Sequence, residues 1–67
     1  MTMGDADLVL LNEGSLVGLW PITAAAREWL DANLPADCPR LGDTRYVEPR
    51  YAPPIVAGAR EDGLLVR

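Results

Sequence analysis

Few side chains in this chain can do chemistry. Cys38, in Ala36-Asp37-Cys38-Pro39-Arg40, is the sole thiol, and there is neither histidine nor lysine. A cysteine nucleophile acts as its thiolate, which Arg40 would favour and Asp37 oppose. With no histidine to carry the proton, the thiol reads as an incidental loop residue. The same absences rule out an intramolecular disulfide and a Cys/His zinc site. Glu61-Asp62 reads as a solvated helix tip and not as an acid/base pair. Gly14 and Gly18 form no glycine-rich phosphate loop, and the acids match no calcium-loop spacing. No enzyme is expected, and no cofactor, metal or small-molecule substrate is implied.

Arg45-Tyr46-Val47-Glu48-Pro49-Arg50-Tyr51 is the stretch best suited to a nucleic acid, because guanidinium groups and aromatic rings grip phosphates and bases. The charge opposes that reading. The chain carries a net charge of −4 and a pI near 4.4, where such domains usually exceed roughly 9. Residues 1–37 hold six acids against Arg27, and residues 38–67 hold five arginines against four acids. Phosphates would meet repulsion from the first half, so a weak nucleic-acid binder ranks third. An acidic inhibitor or DNA mimic ranks second, with carboxylates such as Glu28 and Asp31 standing where phosphates would lie. The polar contacts to examine are Glu28, Asp31, Arg45 and Arg50.

The elements that must position these residues follow from local patterning. Leu8–Leu11 and Leu16–Trp20 are β-type runs around the turn residues Asn12, Glu13, Gly14 and Ser15, which predicts a hairpin stopped at Pro21. Thr23 stands as N-cap to AAAREWLDANL, where Ile22, Ala25, Ala26, Trp29, Leu30 and Leu34 recur at helical spacing. Residues 35–43 read as a loop and Thr44–Glu48 as a strand. Pro53-Pro54 suit the first turn of a second helix, Gly63 its stop, and Leu64–Arg67 a last strand. The prediction is an α+β domain, ordered ββαβαβ, with a small mixed four-stranded sheet and both helices on one face. The last strand–helix–strand unit is read as a right-handed parallel crossover. Residues 1–6 are expected to be loosely packed.

In the hairpin both alternating sets are apolar, whereas a sheet wetted on one face alternates apolar with polar. Two short helices cover one face only, so the other is left for a partner or for the N-terminal segment. A homodimer, or another protein, is expected on the contact set Leu8, Leu10, Leu16, Val17, Leu19 and Trp20. Size points the same way. A domain of 67 residues has a core that rarely supplies more than about 3–5 kcal/mol, and self-association is a common remedy. The acidic start of MTMGDADLVLL lacks the basic region of a secretory signal, and its apolar run is too short for a bilayer, which suggests a cytoplasmic, non-membrane protein.

Pro21-Ile22-Thr23-Ala24-Ala25-Ala26-Arg27-Glu28-Trp29-Leu30, followed by VEPRY, IVAGAREDG and LLV, resembles a group of short bacterial proteins from plasmid- and phage-rich contexts. That group carries a Pro-[Leu/Ile]-Thr-x-Ala-Ala-Arg-Glu-Trp-Leu helix and a terminal Asp-Gly-Leu strand. The likeness spans about residues 20–66. It implies no activity and assigns no residue a role, and Pro49 and Pro53-Pro54 depart from the pattern around the turn.

Overall fold

The computed structural model describes residues 6–67. Strands β1 (Leu8–Glu13) and β2 (Leu16–Pro21) are followed by helix α1 (Ala24–Asn33), strands β3 (Arg40–Leu41) and β4 (Thr44–Val47), and helix α2 (Ala52–Glu61). The class is the α+β expected, with one four-stranded antiparallel sheet in the order β1-β2-β4-β3. The strands differ from prediction at two places, both at sheet edges, and a single 3-10 turn, Pro49–Tyr51, leads into α2.

The first is β3. Residues 35–43, expected to be a loop, contain a two-residue strand that pairs Arg40 with Arg45 and Leu41 with Thr44. Gly42 has a φ of +61° and leads the two-residue connection. Glycine in that position gives a hairpin whose twist matches its strands. The β1–β2 hairpin uses the same device, with Gly14 at φ +78° and the Asn12 side-chain oxygen accepting from its N–H.

The second is the C-terminal segment. Leu64–Arg67 does not form a full strand but lies along the outer edge of β1, with Val66 bridged in parallel to Leu8. The Leu8 N–H donates to Leu65, the Arg67 N–H to Leu8, and the Leu10 N–H to Arg67. The chain thus leaves β4, passes through α2 and returns parallel to it at the far edge of the sheet. The parallel return matches expectation, and the expected mixed sheet survives as this single parallel bridge.

Helix α1 starts where Thr23 accepts a hydrogen bond from the Ala26 N–H at 3.2 Å, the ordinary N-cap contact. It ends before Pro35. Of its apolar stripe, Ala26 and Leu30 are buried and Ala25 is exposed. In α2 both prolines fall in the first turn, where no intrahelical N–H is lost. Gly63, at φ +94°, ends the helix, and the Leu64 N–H turns back to the Ala59 carbonyl. Gly58 admits the Trp29 ring, whose Cζ2 would stand 3.4 Å from a Cβ placed there.

The core forms where Leu8 and Leu19 of the sheet meet Leu30 of α1, Ala59 of α2 and Val66. Both helices therefore pack on the same side, as expected. Of residues 1–6, the expected loose segment, only Ala6 is described, and it is buried; the rest lie outside the described residues.

Candidate functional site

The register decides which apolar side chains remain available. The two-residue turn sets Glu13 opposite Leu16 and Leu8 opposite Pro21. Even-numbered β1 residues therefore share a face with odd-numbered β2 residues, since directly paired side chains lie on one side of a sheet. Leu8, Leu10, Val17 and Leu19 fall on the helix side. Leu8 and Leu19 are fully buried, and Leu10 and Val17 pack against them. Burial removes Leu8 and Leu19 from the contact set expected from sequence, and Leu10 and Val17 lie on the helix side with them; only Leu16 and Trp20 of that set lie on the opposite side.

Among the described residues, no helix lies over that opposite side. It comprises Val9 and Leu11 of β1, Leu16, Gly18 and Trp20 of β2, and Thr44 and Tyr46 of β4. Because Val66 sits beside Leu8 on the helix side, Leu65 and Arg67 join the open face. Leu16, Trp20 and Leu65 remain 36, 40 and 43% exposed, a large exposure for residues of this kind in one patch. The Tyr46 ring lies over Gly18, where a Cβ would come within 3.2 Å of its Cε1. Sequence reading missed Val9, Leu11, Tyr46 and Leu65 as members of this face; the paired register, not composition, reveals them.

The polar candidates are not gathered. Arg45 and Val47 point to the helix side and Tyr46 to the open side, so the first Arg-Tyr pair is split by the sheet, as alternation requires. Arg45 is 4% exposed and donates to the Asp31 carboxylate at 2.5 Å, with a longer contact to the Pro35 carbonyl. Arg50 does not reach the first helix; it pairs with Glu48 at 3.0 Å and lies over the Tyr51 ring. Glu28 is exposed on α1. Asp62 accepts from the Trp29 indole N–H. Asp31 and Asp62 are thus engaged in scaffold bonds.

Cys38 is half-buried, and its thiol donates to the Tyr46 carbonyl at 3.4 Å. It borders an apolar groove of about 550 Å³ that Leu34, Pro35, Tyr51, Pro54 and Ile55 help to line. Among the described residues, no three of Cys, Asp and Glu come together to hold a metal ion. No helix among them is long and apolar enough to cross a membrane.

Asp7 fastens three segments together. One carboxylate oxygen accepts from the Thr23 hydroxyl at 2.8 Å, and the other from the Leu65 N–H at 2.9 Å. The Asp7 N–H donates to the Leu65 carbonyl, and the Asp7 carbonyl accepts from the Ile22 N–H. The Leu65 backbone bond, aided by Thr23, holds the carboxyl below its ordinary value of 3.8. A carboxyl with a depressed folded-state pKa stabilises the fold above its unfolded value and loses that contribution as pH falls through the folded one. Stability is therefore expected to fall on acidification from about pH 5, and less steeply in Asp7→Asn. Urea unfolding midpoints for the two proteins across that range test this; parallel curves would exclude Asp7 as a source of the slope.

Compared with protein-family models, with curated proteins and with solved structures, the chain matches none of them.

Proposed function

We propose that the chain is a non-enzymatic protein-interaction domain that docks another protein on the open face of its sheet. The observation that carries this is that Leu16, Trp20 and Leu65 are all exposed on the side over which no helix of the described residues lies. Tryptophan is among the residues enriched at interface hot spots. The resemblance to plasmid- and phage-associated proteins points to a bacterial setting. An acidic mimic of nucleic acid draws less support, because Asp7, Asp31 and Asp62 are held by bonds within the fold.

A photo-reactive benzoyl-phenylalanine at Val9, irradiated in cells, tests the reading. A covalent adduct with a protein chain is expected, and Trp20→Glu should abolish it. Absence of any protein adduct, or adducts indifferent to Trp20→Glu, would reject the open face as a docking surface.

A further inference from the structure

Among the described residues, four charged ones belong to the open face: Asp7, Glu13, Glu48 and Arg67. They follow from strand alternation, Glu48 continuing the side of Tyr46 and Arg67 that of Leu65. Two are already satisfied, Asp7 by Thr23 and Leu65 and Glu48 by Arg50. The other two, Glu13 and Arg67, make no side-chain bond among the described residues, and they are of opposite sign.

Their places on the face are set by the register. Arg67 lies beside Val9, which is opposite Trp20; Leu11 is opposite Gly18 and Tyr46; Glu13 is opposite Leu16. Between the row of Leu65 and Asp7 and the Gly14-Ser15 turn the face holds three rows, with the positive charge in the first, the Tyr46 ring in the second and the negative charge, Glu13 with Glu48, in the third. A two-fold axis lying across the strands at the middle row exchanges the first and third rows. It sets Trp20 over Leu16 of a second copy and Arg67 beside Glu13 of that copy, each contact occurring twice. An axis along the strands would instead set Arg67 against Leu41 and leave both charges unmatched.

Resting on the reading of the open face as a docking surface, we propose that its occupant is a second copy of this chain, packed face to face about that axis. Such a pairing is isologous and closes on itself. It forms an aligned sandwich with the helices outermost. Strand spacing and rise give the face roughly 500 Å² per copy, or about 1,000 Å² buried in all. That is the low end for a specific interface, so the dimer is reversible and weak, with a Kd in the roughly micromolar range.

Sedimentation equilibrium on wild type, Glu13→Arg, Arg67→Glu and the double reversal tests the pairing, with circular dichroism reporting the fold of each. Wild type should dimerise reversibly. Each single reversal should raise Kd about tenfold, since it creates two like-charge contacts, and the double reversal should return Kd to the wild-type value. Trp20→Glu should be monomeric. A wild-type chain that stays monomeric up to roughly millimolar concentration overturns the proposal, as does a double reversal weaker than either single one. A monomer that still forms photo-adducts with a different protein through Val9 overturns the second copy and leaves the docking surface standing; a monomer without adducts removes both.

Discussion

Leu30→Ala is expected to leave the chain mostly unfolded at room temperature. Leu30 is 1% exposed and lies where α1 meets Leu8, Leu19, Ala59 and Val66. Truncating a buried leucine to alanine costs about 2–5 kcal/mol, the spread reflecting how far the site can close over the cavity. Collapse is restricted here, because one neighbour is already alanine and the others are held by the sheet ladder and its parallel bridge. A domain of this size has only about 3–5 kcal/mol to lose. A substitution of ordinary severity in a larger protein is therefore decisive in this one. Loss of helical ellipticity and of dispersed amide resonances would show it, while a variant that melts within a few degrees of wild type would mean that the core is not concentrated at Leu30. The proposed dimerisation would add stability by mass action, so the comparison belongs at a protein concentration below the Kd proposed for it.

The parts of this fold that could be read from sequence are those where one local rule acts without a competitor. Thr23 before three alanines fixes the start of α1, Pro53-Pro54 that of α2, and Gly63 its end, and each does so in the structure. The hairpin was readable for the same reason, since Gly14 is where positive φ is needed. The faces of the hairpin were not. Alternation reports which side is buried only when the two sides differ in polarity, and Leu8-Val9-Leu10-Leu11 is apolar on both. The side of each residue then depends on the turn length, and a turn one residue longer would have exchanged the burial of Leu19 and Trp20. Strand β3 escaped notice because Arg40-Leu41 is too short to show a period, leaving Gly42-Asp43 as its one signal. The pairing of Val66 with Leu8 joins residues from opposite ends of the sequence, and no local pattern encodes it. Of the candidate site, Leu16 and Trp20 were identified as contact residues from sequence, and the neighbours that make them a surface required the register.

Gly18→Val separates the structural from the surface demands on the middle row. Glycine in a strand interior is ordinarily a liability, and a β-branched residue there would normally gain stability. At Gly18 the sign is expected to reverse. A Cβ would stand 3.2 Å from the Cβ of Leu11, 3.2 Å from Cε1 of Tyr46 and 3.4 Å from Cγ2 of Thr44. The Tyr46 ring is the end of a flexible side chain and can swing away. The Leu11 Cβ is fixed by the β1 backbone, so the sheet itself must yield. The Cβ of alanine makes all three of these contacts and adds nothing beyond them, while the regained backbone entropy, about 0.5–1 kcal/mol, offsets part of the strain, so Gly18→Ala should cost less than Gly18→Val. Valine adds two methyl groups against the same neighbours and is expected to cost about 1–3 kcal/mol, the usual price of overpacking. Equilibrium urea unfolding of both variants checks the order, and a valine variant as stable as wild type would show that the strands spread more readily than their register implies. The position also bears on association. With the Tyr46 ring displaced, the centre of the proposed two-fold contact is lost, so Gly18→Ala should weaken the dimer more than it weakens the fold. No effect of Gly18→Ala on Kd would place the axis elsewhere on the face.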